Sequence, residues 1–201
     1  MRAPSLNFLK KLLSTPSPSG QEEKIQEVCK AYAKPFVDNI YKDVHGNQYH
    51  VINPKGKLRV MLAGHVDEIA LMIHHMDDKG FLQFQAIGGV DASVLDGQRV
   101  NVHTDKGGIS GVIGRRAIHL TDNEDRGKPM KMHDLWIDIG AKDKKEAQKH
   151  VSIGDTATID AGFLELLNGR IVARALDDRI GAFICLEAMR LLQGRKFDCA
   201  V

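Results

Sequence analysis

Residues 57–68 read KLRVMLAGHVDE, an apolar run that passes directly into the polar cluster His65-Val66-Asp67-Glu68. The apolar run predicts a buried strand of an α/β sheet, and ligands bind such sheets at the carboxyl ends of the strands. Because residues i and i+2 of a strand point to the same side, His65 and Asp67 are expected to share a face. Asp67 could then accept a hydrogen bond from one ring nitrogen of His65 while the other nitrogen binds a metal ion. Taken alone, the motif more often reflects a histidine at a strand end beside a turn aspartate.

A second polar cluster, Asp177-Asp178, stands at the start of a predicted helix. Carboxylates are favoured at helix N-termini, where free N–H groups and the helix dipole attract negative charge, so capping is the simpler interpretation. One aspartate is enough for a cap, and a second one followed by Arg179 is more than capping needs. A carboxylate can bridge two divalent ions, and two-metal hydrolytic sites hold their ions about 3.5–4 Å apart. The pair is therefore a candidate for bridging two metal ions.

The chain around these clusters changes character twice. Leucines at helical spacing behind Ser5, a candidate N-cap, predict a first helix, and a capping-box pattern that begins at Ser19 predicts a second. Residues 69–161 instead consist mostly of short strand patterns separated by glycine-rich turns, which is typical of a small barrel or sandwich. The sequence therefore predicts an α/β domain over residues 1–68 and 162–201, interrupted by an inserted β domain.

The composition excludes several classes of function. With 28 Lys plus Arg against 26 Asp plus Glu, the chain lacks the concentrated basic excess of a nucleic-acid-binding protein. No apolar run approaches the ~20 residues of a membrane-spanning helix, and Lys10 and Lys11 interrupt the apolar core that a signal peptide requires. Three cysteines without a C-x-x-C motif fit a reducing compartment. We therefore expect a cytoplasmic protein that binds neither nucleic acid nor a membrane.

Several further segments together carry a resemblance to a known family. They occur in the family's order and approximate spacing over nearly the whole chain. The segments are LLSTPSPSGQEEKI (12–25), DVHGN (43–47), MLAGHVDEIALMI (61–73), IGGVDASVLDGQRV (87–100), GGISGVIG (107–114), LWIDIGA (135–141) and ARALDDRIGAFICLEA (173–188). On these motifs the chain resembles the glutamyl/leucyl aminopeptidases of metallopeptidase family forty-two, the tetrahedral aminopeptidases.

The resemblance implies an α/β zinc-peptidase domain with a mixed sheet and helices, interrupted by an inserted small β-barrel domain. It implies that His65 and Asp177 are metal ligands, with Asp177 bridging both ions. It also implies that Asp67 is catalytic by orienting and polarising His65, and that Asp178 follows Asp177 across a cis peptide bond. Members of the family use two divalent ions, zinc or cobalt, to activate a water that attacks the first peptide bond of a substrate with a free amino terminus. Many assemble into twelve-subunit tetrahedral shells through the β domain, so a homo-oligomer is expected.

The sequence also departs from the family's pattern. Val90 stands where relatives commonly carry an aromatic residue, and Asp96 stands where a proline is common. The family's paired-glutamate motif, which supplies the general base and a metal ligand, has no counterpart here, and neither do a later aspartate and a distant histidine. One histidine and one bridging aspartate are also too few for a catalytic zinc site, which usually has three protein ligands. We therefore expect these residues to be the N-terminal portion of a longer enzyme and to be inactive alone.

Two other functions remain open at this point. The chain could be a catalytically inactive assembly or binding subunit, in which the β domain makes oligomer contacts and the half-built site binds no metal. A glycoside hydrolase needs two carboxylates on either side of a sugar-binding cleft, whereas Asp177 and Asp178 are adjacent and aromatic residues make up only 5% of the chain. We therefore expect a dinuclear metal-dependent aminopeptidase first, with the non-catalytic subunit as the alternative.

Overall fold

The computed structural model describes residues 1–120 and 129–201, which form two compact units. Unit 1 consists of Met1–Glu68 and Gly162–Val201, and unit 2 consists of Ile69–Ala161. No helix in this described part of the chain is long and apolar enough to cross a membrane.

Helices and strands are distributed unevenly between the two units. In chain order, the helices are α1 (Ala3–Ser14), α2 (Glu23–Ala33), α3 (Lys144–His150) and α4 (Leu176–Leu192). The strands are β1 (Asn39–Lys42), β2 (Gln48–Val51), β3 (Leu58–Arg59), β4 (Ala70–Met76), β5 (Leu82–Ile87), β6 (Arg99–Thr104), β7 (Gly107–Arg115), β8 (Leu135–Asp138), β9 (Thr156–Ile159), β10 (Leu164–Glu165), β11 (Ile171–Val172) and β12 (Cys199–Ala200). Unit 2 contains α3 and the strands from β4 to β9, and unit 1 contains the others.

The helices of unit 1 each pack through one apolar face, as the helical spacing of their apolar residues predicts. Leu9 and Leu12 of α1, Ile25 of α2 and Phe183 of α4 are buried in one common core. Burying each such side chain stabilises the fold by about 1.5–3 kcal/mol. This core therefore fixes α4 against the other two helices, and with α4 the cluster that begins at Asp177.

Two expected helix caps are wrong. Helix α1 begins at Ala3, and Ser5 is buried inside the helix, where its hydroxyl donates to Glu187. Helix α2 has no side-chain cap at its N-terminus, and the hydroxyl of Ser19 donates to Asp67 instead. In both cases the serine donates to a carboxylate from a distant part of the chain, which a local sequence pattern does not reveal.

The strands of unit 1 form two antiparallel hairpins, β1–β2 and β10–β11, and a parallel pair of β12 with β3. Ile52 and Val201 exchange two backbone hydrogen bonds of 2.8 and 3.0 Å, which link the β1–β2 hairpin to the segment of β12. The expectation that the apolar run from Lys57 onward is buried is wrong. Among the described residues only β12 pairs with β3, and Met61 is 80% exposed.

Unit 2 contains a closed barrel of six antiparallel strands in the order β4-β5-β8-β7-β6-β9. Its interior is filled by inward-facing apolar residues such as Ile73, Phe84, Val102 and Ile137, all of them buried. The predicted turn before β5 contains Gly80 at φ +87°, a left-handed conformation that favours glycine. The closed barrel decides between the two expected β architectures and confirms the fold class, an α/β domain interrupted by an inserted β-barrel.

The partly buried carboxylate of Glu187 links α4 to α1 and α2 and also pairs with Arg190 on its own helix. The carboxylate of Glu187 accepts hydrogen bonds from Arg190 at 2.8 and 3.0 Å, from Ser5 at 2.8 Å and from the hydroxyl of Tyr32. The hydrogen bonds from Arg190 are the main cause that lowers the pKa of Glu187 to about 2, while partial burial opposes the shift. The ionised carboxylate therefore stabilises folded unit 1.

The variant Glu187→Gln is expected to lower the free energy of unfolding at pH 7 by about 1–3 kcal/mol, because it removes charge-assisted hydrogen bonds. A depressed pKa in the folded state contributes stability above the pKa of the unfolded chain, and protonation removes that contribution. The difference between wild type and variant should therefore shrink as the pH falls from 4.5 towards 2. Urea unfolding across this pH range measures the difference, and a constant difference would contradict the assignment. The exposed pair of Glu27 with Lys30 supplies a control, since Glu27→Gln should change the stability little at any pH.

Candidate metal centre

His65 and Asp67 lie beyond the end of β3 and contact each other directly. The Nδ1 atom of His65 lies 2.8 Å from Oδ1 of Asp67. A carboxylate only accepts, so Nδ1 carries the proton and the lone pair of Nε2 is left to bind a ligand. The other oxygen of Asp67 accepts from the hydroxyl of Ser19. Partial burial raises the pKa of Asp67, but the hydrogen bonds from Ser19 and His65 outweigh it and hold that pKa below its usual value.

Asp177 lies on the open side of the same histidine. Its Oδ1 atom is 3.6 Å from Nε2 of His65, and its carboxylate is 99% exposed. Two ligands that bind one zinc ion at tetrahedral angles lie about 3.3 Å apart, given metal–ligand distances of about 2.0–2.1 Å. The spacing between Nε2 and Oδ1 therefore fits two ligands of one ion, and the arrangement places both sequence-predicted ligands together.

Asp178 differs from its neighbour in what its side chain contacts. The peptide bond between Asp177 and Asp178 is cis, as the resemblance implies. The Oδ1 atom of Asp178 accepts from the backbone N–H of Gly181 at 3.2 Å, near the N-terminal end of α4. One aspartate of the pair is therefore hydrogen-bonded to the helix backbone, and the other faces the histidine.

A glycine allows the histidine segment and the start of α4 to approach each other. A Cβ atom on Gly64 would lie 2.5 Å from the backbone nitrogen of Ala182 and 2.8 Å from the carbonyl carbon of Gly181. A side chain on Gly64 would therefore force the two backbones apart, so Gly64 sets how close His65 can lie to Asp177. A Cβ atom on Gly181 would instead overlap the carboxylate of Asp178, which would have to move. The sequence carried no signal for these contacts beyond the positions of the two glycines next to the two clusters.

Two charged residues that the sequence did not single out as part of the site are buried beside it. Glu68 follows Asp67 directly, and its side chain is 3% exposed. Arg179 follows the aspartate pair, and its side chain is fully buried against Glu68 with an Nη2–Oε1 distance of 2.8 Å. Apart from their position next to the two clusters, nothing in the sequence indicated that Glu68 and Arg179 form a buried pair. The two residues are 111 positions apart, so no local pattern shows their contact.

The described residues do not form a complete set of metal ligands. Within residues 1–120 and 129–201, no group of three or more His, Cys, Asp and Glu side chains is arranged to hold a metal ion. Catalytic zinc sites commonly have three protein ligands and a water. His65 and Asp67 line an open cleft of about 680 Å³ that also includes Met61 and Gln26. His65 therefore borders open space in which further ligands have room to approach.

Comparisons with known proteins agree with this architecture. A model of the M42 glutamyl aminopeptidase family matches residues 46–201. A protein of Acetivibrio thermocellus is 37% identical over 187 residues, which are 93% of this chain and 54% of that protein. The TET aminopeptidase from the marine sediment archaeon Thaumarchaeota archaeon SCGC AB-539-E09 superposes with a TM-score of 0.94 at 34% identity, over 98% of this chain and 56% of its own.

The TET1 peptidase of Pyrococcus horikoshii, which can assemble into a tetrahedron or a large octahedral shell, superposes with a TM-score of 0.87 at 37% identity. The superposition covers 98% of this chain and 59% of that chain. The chain thus spans about half the length of the curated relatives it matches. The matched region contains His65, Asp67 and Asp177 together with the whole barrel. The chain therefore belongs to the M42 glutamyl aminopeptidase family, as its motifs predict.

Proposed function

We propose that the protein is a dinuclear metal-dependent aminopeptidase that removes N-terminal residues from peptides, and that this chain supplies His65, Asp67 and Asp177 to its active site. The observation that carries the proposal is the 3.6 Å separation of His65 Nε2 and Asp177 Oδ1, with Asp67 bound to the far side of the histidine. Membership of the family supports peptidase chemistry. The contacts of these three side chains support a metal centre.

His65 would hold a divalent ion through Nε2, and Asp177 would hold it through its carboxylate. Imidazole and carboxylate ligands suit zinc and cobalt alike. When bound, such ions lower the pKa of a water and polarise the carbonyl of the scissile peptide. Asp67 accepts the Nδ1 proton of His65, which fixes the ring's orientation and makes Nε2 a better donor.

The exposed carboxylate of Asp177 is suited to bridging two ions. Its side chain is 99% exposed, and among the described residues its Oδ1 has one charged neighbour, His65. Both oxygens are therefore accessible to ligands from solvent. The carboxylate of Asp178 accepts a hydrogen bond from the helix backbone, so it has fewer lone pairs left to bind metal ions.

The remaining ligands and the general base are proposed to come from polypeptide outside these residues, so that the chain alone is inactive. This chain matches only about half the length of its relatives, which supports the proposal. The apolar side chain of Met61 is exposed in the cleft. Gln26 Oε1, Gln48 Oε1 and His50 Nε2 line the same cleft, and each is buried without a hydrogen-bond partner among the described residues. Unpaired buried polar atoms cost about 1–3 kcal/mol each.

The protein is further proposed to form a homo-oligomer through unit 2, of the twelve-subunit kind that the resemblance implies. The assembly of the Pyrococcus horikoshii TET1 peptidase supports this proposal. Unit 2 also has large apolar residues on its surface, such as Val94 at 61% exposure and Ile153 at 60%. Exposed apolar residues favour protein–protein contact where they form a continuous patch.

The variant His65→Ala tests the proposed activity in the protein as its source organism makes it. We expect the wild type to release N-terminal residues from short peptides, to lose activity with a chelator and to regain it with zinc or cobalt. His65→Ala should lose bound metal and activity together. In Asp67→Asn, metal affinity or activity should fall about 10–100-fold.

The matched control is His133→Ala, which removes an exposed histidine that also lies 3.6 Å from an aspartate, Asp134. It should keep full activity and metal content. Full activity and metal content in His65→Ala would refute the ligand assignment. A folded wild type without metal or activity would instead favour the non-catalytic subunit.

The variant Gly64→Ala tests whether close backbone approach builds the site. The added Cβ atom meets backbone atoms of Ala182 and Gly181, so the histidine segment and α4 must separate. We expect metal affinity to fall at least tenfold, measured by calorimetric titration with zinc. Gly162→Ala is the control, because a Cβ atom there meets nothing within 4 Å. Equal affinity in the wild type and both variants would contradict the close-approach account.

The mass of the native assembly tests the proposed oligomer. Native mass spectrometry of the protein from its source is expected to give twelve times the mass of one subunit. A monomeric mass at micromolar concentration would contradict the assembly proposal and would leave the metal centre unaffected.

A further inference from the structure

Arg179, near the start of α4, is fully buried although its guanidinium is charged. Its Nε atom donates to the carbonyl of Val66 at 3.1 Å, and its Nη1 atom donates to the carbonyl of Leu12 at 2.7 Å. Its Nη2 atom donates to Ser17 Oγ at 2.9 Å and to Glu68 Oε1 at 2.8 Å. One side chain of α4 is therefore hydrogen-bonded to the end of α1, to the loop that follows it and to the segment that carries the candidate histidine.

Glu68 is the counter-charge that makes this burial possible. Its Oε1 atom accepts from Arg179 and from the backbone N–H of Ser17 at 3.0 Å, and its Oε2 atom accepts from Arg174 Nε at 2.8 Å. A buried charge is costly unless it is paired and its remaining hydrogen-bonding groups are satisfied. Both oxygens of Glu68 are satisfied in this arrangement, and any shift of one segment would break at least one of these contacts.

The two segments held in this way are those of the metal centre. The carbonyl of Val66, which lies between His65 and Asp67, accepts from Arg179 and also from Ser17 Oγ at 2.6 Å. Arg179 itself lies two residues after Asp177. Asp177 has a 99% exposed carboxylate, so its position follows from its backbone and not from packing around its side chain.

We propose that Glu68 and Arg179 are positioning residues whose buried ion pair sets the separation of His65 and Asp177, and thereby the affinity of the centre for divalent metal ions. This inference rests on the proposed function, because it concerns the same two ligands. Both residues are buried, and neither lines the cleft. They act through the backbone of their neighbours.

This positioning role differs from general stabilisation of the fold, and a second ion pair in unit 1 serves as a matched comparison. Glu187 and Arg190 form another ion pair on the same helix, with distances of 2.8 and 3.0 Å. Their other hydrogen-bonding partners are on α1 and α2, and they have no hydrogen bond to residues 65–68. A variant of Glu187 should therefore lower stability without changing the metal centre.

The experiment compares Glu68→Gln with Glu187→Gln in the protein from its source, with Co²⁺ alone as the probe. Circular dichroism first establishes a temperature at which both variants are folded. Calorimetry then gives the Co²⁺ dissociation constant, and the visible absorption spectrum reports the geometry around the ion. Glu68→Gln should weaken Co²⁺ binding at least tenfold and change the spectrum. Glu187→Gln should lower the melting temperature and leave both metal readouts at wild-type values.

A milder variant covers the case in which Glu68→Gln does not fold. Ser17→Ala removes only the hydroxyl that links Arg179 to the carbonyl of Val66, and it should weaken Co²⁺ binding about threefold. Wild-type affinity and spectrum in Ser17→Ala and in folded Glu68→Gln would overturn the positioning role while the proposed function stands. A wild-type protein that binds no Co²⁺ would overturn both.

Discussion

The candidate metal centre depends on the hydrogen bonds of one buried group, the guanidinium of Arg179. A charge placed where no water reaches it must find all its partners within the protein, and Arg179 finds them on α1, on the loop after it and on the segment around Val66. The requirement is strict because an unpaired donor or carboxylate at this position would cost several kcal/mol. Satisfying it brings together three segments that are far apart in sequence, namely the end of α1 with its following loop, the segment around Val66 and the start of α4.

The chemistry of the site follows from that arrangement. Once the segment before Glu68 lies against the start of α4, the exposed edge of His65 faces Asp177 at 3.6 Å. On the opposite side of the ring, Asp67 and Ser19 form a chain of hydrogen bonds that fixes which nitrogen is free. Gly64 allows the approach, since a side chain there would collide with the backbone of α4. Polar contacts and the absence of one Cβ atom thus act together to set a single distance.

Sequence patterns predicted those parts of the molecule that depend on local chemistry. The strand-rich character of unit 2 follows from its glycine-rich turns, which left a barrel and a sandwich open, and short motifs at element ends made His65, Asp67 and Asp177 candidates. The burial of Arg179 was not predictable in this way, because its partner Glu68 is 111 positions away. Charged residues are usually found at the surface, so the residue type alone would predict that Arg179 is exposed. Ser19 was misassigned for the same reason, since its acceptor is 48 residues away.

The exposed apolar residues after β3 lie in unit 1 together with His65 and Asp177, and the residues that the structure describes hold no group of three or more metal-ligating side chains. A crystal structure of the native protein loaded with cobalt, with anomalous differences recorded at the cobalt edge, tests the proposal that His65 and Asp177 hold a common metal ion. We expect an anomalous peak within bonding distance of both His65 Nε2 and the Asp177 carboxylate. A peak elsewhere, or none at this position in metal-loaded crystals, would contradict it.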